Sequence, residues 1–152
     1  SLYRAGNFAS IELGAYLKQL ANQAFRAQSG QGNTVRLVLD VSAVEVAMDQ
    51  ATTCGLLVNE LISNSLKHGF PGGEAGQVHI GLQAEPSPER GPLTLRLWVS
   101  DTGVGLPADF ETRCLQSLGM QLVSDLVRQL DGTLQIGPGP GSEFVVRFAR
   151  QT

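Results

Sequence analysis

Cysteine is scarce in this chain. The two present, Cys54 and Cys114, form neither a set of bridges nor a CxxC metal pattern, so a disulfide-stapled fold and a zinc site are both removed from consideration. A reduced, cytoplasmic chain is the expectation. Also missing is any apolar run near the ~20 residues of a membrane-spanning helix, and no signal peptide precedes the first predicted element. No direct membrane contact is expected. Basic charge is short as well: 11 Lys+Arg against 14 Asp+Glu give a net charge of −3 and a pI near 5.3, which argues against nucleic acid as a main partner. Histidine is reduced to His68 and His79. The chain opens at Ser1 without an initiator methionine, so an excised fragment is expected.

What is present fits one domain. A chain of 152 residues can bury roughly 70% of its unfolded surface, enough for a core without staples. It is organised around residues 49–70, DQATTCGLLVNELISNSLKHGF, which read as one helix with two unlike faces. At 100° per residue Val58, Leu61, Ile62 and Leu66 gather on one side, and Thr53, Glu60, Asn64 and Lys67 on the other. Asp49 is the predicted cap. Glu60 and Asn64 are one turn apart and Lys67 follows at the next. An acid, an amide and a cation in a row suit Mg²⁺ beside phosphates, because that ion takes one or two protein oxygens and fills its octahedron from water and substrate. A solvated helix face accounts for the row equally well.

Around it, residues 1–9 lack a period and read as a lead-in. Ser10 is a predicted cap for a helix to about Gln28, with Ile11, Leu13, Tyr16, Leu17, Leu20, Ala24 and Phe25 inward. Strands are predicted at 35–41, 44–47, 77–84 and 93–100, the last with Leu93, Leu95, Leu97 and Val99 in phase. Residues 106–116 read as a loop. Ser117 caps a predicted helix to about Leu130 that turns Leu118, Leu122, Val123, Leu126, Val127 and Leu130 inward and stops at Gly132. Strands at 133–136 and 143–148 close the chain across a glycine- and proline-rich turn. Three helices and a mixed, mostly antiparallel sheet of about five strands make a two-layer α/β sandwich.

Two further stretches carry chemistry. Asp101-Thr102-Gly103-Val104-Gly105 follows a strand, placing a carboxylate at the sheet's end where it can accept the exocyclic amine of a base such as adenine. An ordinary glycine turn accounts for these residues alone. Ser117-Leu118-Gly119-Met120 opens a helix whose free amides and positive dipole end can seat phosphate, and a plain capped start accounts for that one.

The order of the three stretches resembles the ATP-binding domains shared by sensor histidine kinases, gyrases, MutL-type repair proteins and heat-shock chaperones, the GHKL group. NELISNSLKHGFPGGEAG is similar to its N box, DTGVGLP to its first glycine box and SLGMQLVSDLVRQLDG to its second. LKHGFPGG, LYRAGNFASIELGAYLKQL and SLGMQLV most resemble histidine kinases related to the HWE subfamily. The likeness covers nearly the whole chain. It implies a Bergerat-type fold that binds ATP with Mg²⁺ and passes the γ-phosphoryl to a histidine. Asn64 would hold the metal, Glu60 would activate the nucleophile or help hold the metal, and Lys67 and His68 would lie near the phosphates. Asp101 would take the adenine amine, with Gly103, Gly105 and Leu106 around the base, Gly119 and Met120 in the second glycine box, and Ser142 as a hydroxyl near adenine. The second box keeps only Gly119, no separate phenylalanine box precedes it although Phe110 sits in the loop, and the 106–116 lid is short.

Neither histidine has a phosphoacceptor's setting, and His79 is expected at the surface of its strand. The resemblance therefore implies acceptor helices upstream, with residues 1–9 their trailing end, 10–152 the catalytic domain, a homodimeric parent and a response regulator downstream. A serine kinase acting on an anti-sigma antagonist and a non-catalytic nucleotide-binding module are the alternatives.

Overall fold

The computed structural model describes residues 10–30, 34–86, 90–106 and 117–152. The lead-in at 1–9, Phe110, Cys114 and all of the expected lid beyond Leu106 lie outside these.

Ser10–Glu12 is a short strand, β1, and not a helix start. Helix α1 (Leu13–Gln28) is capped by Glu12, whose carboxylate accepts the Ala15 amide at 3.0 Å. Ser10 and Ile11 pair instead with Ala47 and Val46 of β3 (Glu45–Ala47), as a β-branched residue in an extended segment prefers. Leu13, Leu17, Ala21 and Ala24 bury the inner face of α1 as its period predicts.

Among the described residues the main sheet has five strands: β2 (Val35–Val41), β4 (Gly76–Glu85), β5 (Thr94–Asp101), β6 (Thr133–Ile136) and β7 (Glu143–Ala149), in the order β2-β4-β5-β7-β6. Only β2 and β4 run parallel, and a parallel pair needs a crossover. The segment carrying β3 and the central helix supplies it. Val78, Ile80 and Leu82, then Leu95, Leu97 and Val99, then Phe144, Val146 and Phe148 fill the helix-facing side with period two. Leu93 falls before β5 and stays exposed. On the outer side Trp98 lies opposite Gly81, with the Arg96 guanidinium 4.3 Å from its ring. His79, expected at the surface, is half-buried and meets Trp98 edge to face.

The central helix α2 runs Met48–Asn64 with Ala47 as its cap, so Asp49 sits inside the first turn and does not cap. Its carbonyl instead accepts the Thr53 hydroxyl at 2.9 Å, and Thr53, placed on the wet face by the periodicity, is buried. Leu57, Val58, Leu61 and Ile62 pack into the core, each contributing roughly 1.5–3 kcal/mol. The α-helix ends at Asn64. Ser65–Gly69 continues as one π turn, so Lys67 leaves the straight row with Glu60 and Asn64 that α geometry implies.

Helix α3 (Leu118–Gln129) is capped by Ser117 as predicted, its hydroxyl accepting from the Met120 amide. Met120, Val123, Leu126, Val127 and Leu130 face the core. Leu118 and Leu122 do not, being 82% and 42% exposed. Around a helix they lie roughly 140° and 100° from Val123, beyond the stripe that touches the sheet. The stop predicted at Gly132 comes one residue earlier, at Asp131, which adopts φ 51°.

Candidate functional site

The end of β5 carries Asp101, which is 7% exposed and held from three directions. One carboxylate oxygen accepts the Gly103 amide at 2.9 Å and, at longer range, the Ser142 amide at 3.4 Å. The other accepts the Ser142 hydroxyl at 2.5 Å. An ionised carboxylate offers about four acceptor positions, so capacity remains for a further donor. The backbone repeats the link, with the Asp101 amide bound to the Ser142 carbonyl at 2.9 Å. Ser142 thus meets Asp101 across 41 positions of sequence because β5 and β7 are neighbours.

Glycine makes room here. A Cβ on Gly103 would lie 2.1 Å from the Gly69 carbonyl oxygen, and one on Gly141 would lie 1.8 Å from that of Asp101. The Val104 amide donates to the same Gly69 carbonyl at 2.8 Å, locking the DTGVG turn to the π turn. Gly69 itself faces the Asp101 carboxylate, where a side chain would begin 3.3 Å away. Gly105 takes φ 80°, a left-handed conformation that bulkier residues avoid. Leu106, next along, packs against the core.

The second wall is α2. Glu60 and Asn64 are both half-buried and both face Gly119, in the first turn of α3. A Cβ there would stand 2.7 Å from a Glu60 carboxylate oxygen and 3.8 Å from Asn64 Oδ1. Asn64 Nδ2 points at Met120 Sδ, 3.5 Å away. Met120 is buried, so it supports Asn64 from behind. Lys67 and His68 are exposed on the π turn.

Two hard oxygens, from Glu60 and Asn64, fit Mg²⁺, which completes its shell from phosphate and water. Among the described residues no group of three or more His, Cys, Asp or Glu is placed to hold a metal ion. Cys54, buried at 0% exposure in α2, belongs to the core, and burial pushes its thiol pKa from 9.0 up to about 12.

The arrangement therefore joins Asp101, Gly103, Gly105 and Ser142 at one end, and Glu60, Asn64, Gly119 and Met120 at the other. Sequence reasoning missed Gly69 and Gly141 as parts of the cradle. The available signal was adjacency: each sits beside a residue already singled out, His68 or Ser142.

Comparison with known proteins identifies the family and the fold. Blue-light-activated histidine kinase 2 of Erythrobacter litoralis is 31% identical over 129 residues, 85% of this chain and 35% of that protein. Sensor histidine kinase PdtaS of Mycobacterium tuberculosis is 38% identical over 88 residues, 57% of this chain and 16% of that protein. The solved histidine kinase domain of an Erythrobacter litoralis blue-light activated histidine kinase superposes with a TM-score of 0.80 at 28% identity, covering 92% of this chain and 62% of that one. The chain thus spans about a third of the first relative's length and less of the second's. The sequence profile of the histidine kinase-, DNA gyrase B- and HSP90-like ATPases matches residues 49–152, and the chain belongs to that family.

Proposed function

We propose that this chain is the ATP-binding catalytic domain of a sensor histidine kinase, binding Mg·ATP and presenting its γ-phosphoryl to a histidine on another domain. The observation that carries the reading is the pairing of a preorganised buried acceptor, Asp101, with the Glu60 and Asn64 oxygens beside the first turn of α3. Asp101 receives the adenine amino group, and Ser142 orients that carboxylate. Gly103, Gly105 and Leu106 shape the base pocket. Asn64 and Glu60 would hold Mg²⁺, which when bound neutralises phosphate charge. Lys67 and His68 extend that neutralisation from the π turn, while Gly119 and Met120 place the α3 amides toward the phosphates. Glu60 also orients the incoming imidazole. Phosphoryl transfer asks little covalent work of the protein, so positioning and charge neutralisation account for the catalysis.

The acceptor lies upstream in this reading. Residues 1–9 form the trailing end of a dimerising, phosphoacceptor region, residues 10–152 form the catalytic unit, and the parent is a cytoplasmically acting homodimer serving a response regulator. Among the described residues no helix is long and apolar enough to cross a membrane. The names of the relatives favour this reading over a serine kinase of the same fold. Titration of ATP into the purified chain, with and without Mg²⁺, tests it. Asn64→Ala should lose the Mg²⁺-dependent part of the affinity and keep the rest. Equal loss in both conditions refutes the role given to Asn64, and absence of adenine-nucleotide binding by the wild type refutes the function.

A further inference from the structure

Thr102 lies between Asp101 and Gly103 yet has no part in the recognition just described. Its side chain is exposed, but its polar atoms are engaged. The hydroxyl oxygen accepts the Gln77 amide at 2.9 Å, and the Thr102 amide donates to the Gln77 carbonyl at 3.0 Å. Two hydrogen bonds thus join the residue after Asp101 to the start of β4. Two residues further, the Val104 amide holds the turn to Gly69 at 2.8 Å. The glycine turn is pinned on both sides, to β4 through Thr102 and to the π turn through Val104. Between the pins sits Gly103, whose amide reaches the Asp101 carboxylate at 2.9 Å.

Gly76 makes the first pin possible. A Cβ there would meet the Thr102 hydroxyl oxygen at 2.7 Å and the Phe70 ring at 2.4 Å. Phe70, buried directly after the π turn, and Thr102 therefore converge on one bare position at the start of β4.

We infer that Thr102 is a positioning residue for the base end of the site: its hydroxyl clamps the DTGVG turn to β4 and thereby fixes the Asp101 carboxylate for adenine. The inference rests on the adenine-nucleotide reading above. Thr102→Val keeps the shape and removes the acceptor, Thr102→Ser restores it, and Gly76→Ala keeps the hydroxyl but presses a methyl on both it and the Phe70 ring. One hydrogen bond at this point should change affinity by about three- to tenfold. Calorimetry on the full chain, well below its melting midpoint, should show Thr102→Val and Gly76→Ala weakening adenosine, ADP and ATP by the same factor, with or without Mg²⁺. Thr102→Ser should recover most of the affinity. A purely structural role would lower the melting midpoint and leave these dissociation constants unchanged.

Exchange of the Gly103 amide provides a readout free of ligand. It should quicken in Thr102→Val and return toward wild type in Thr102→Ser. Wild-type binding together with unchanged affinity and unchanged Gly103 exchange in Thr102→Val overturns this inference alone. A wild type that takes up none of the three ligands overturns the nucleotide reading, and the positioning role with it.

Discussion

Truncating Asp101 tests the site and the fold together, and the two effects can be separated. Asp101→Ala removes a carboxylate, 7% exposed, that accepts the Gly103 amide at 2.9 Å and the Ser142 hydroxyl at 2.5 Å. A hydrogen bond to a charged acceptor contributes about 1.5–3 kcal/mol, so adenine nucleotides should bind roughly ten- to 150-fold more weakly. Two donors, the part-buried Gly103 amide and the buried Ser142 hydroxyl, also lose their partner, which costs about 2–4 kcal/mol of stability in all. At about 2–4 °C per kcal/mol for a domain of this size, the melting midpoint should fall by roughly 4–16 °C. Asp101→Asn is the cleaner variant. Its amide oxygen can keep the Gly103 amide while its NH₂ donates to a rotated Ser142 hydroxyl, so the midpoint should stay within a few degrees. The charge is lost all the same. Binding of ADP and ATP, followed by calorimetry, should weaken at least about tenfold, equally with and without Mg²⁺. Affinity in Asp101→Asn within about threefold of wild type, or loss confined to the Mg²⁺ condition, would refute the assignment of Asp101 to the base.

Gly119→Ala should leave stability unchanged or slightly raised, since alanine favours a helix by about 0.5–1 kcal/mol and only the mobile end of Glu60 stands in the way, 2.7 Å off. Phosphoryl transfer, assayed in a protein that carries the acceptor histidine, should fall because Glu60 is displaced. Gln50→Ala should lower the melting midpoint by roughly 4–8 °C, taking about 2 kcal/mol for the lost bonds. The buried Gln50 amide donates to the Ala149 carbonyl at 2.9 Å and accepts the Gln151 amide at 2.8 Å, tying the end of β7 to the start of α2. Nucleotide affinity should be unaffected, as read by calorimetry. Cys54 predicts a pH effect of definite sign. Its thiol stays protonated in the folded chain up to about 12 and ionises near 9.0 once unfolded, so its contribution is full below pH 9 and is lost as pH rises from there toward 12. Denaturant midpoints measured across that window should fall less steeply in Cys54→Ala, by up to about 1.4 kcal/mol per pH unit.

Periodicity and turn chemistry placed most elements of this chain, the short β1 and the π turn excepted. The alternation of β4 and β5, the inward stripe of α1, the Ser117 cap and the glycine-rich turn before β7 are local properties, written within a few residues of where they act. The spacing of Glu60 and Asn64 and the DTGVG turn were legible for the same reason. Other features depend on partners distant in sequence. Ser142 orients Asp101 only because β7 lies beside β5, and Gly69 and Gly141 matter only because other segments press against them. The helix at 49–70 looked continuous, but after Asn64 the chain changes to a π turn that ends on the glycine facing Asp101. Leu118 and Leu122 looked inward until the sheet fixed how much of α3 it covers. Sequence by itself determined which residues could form each element and which side chains could do chemistry, because those are properties of short stretches. Which groups meet was decided by the tertiary structure, because a hydrogen bond across 41 positions exists only once β5 and β7 have paired.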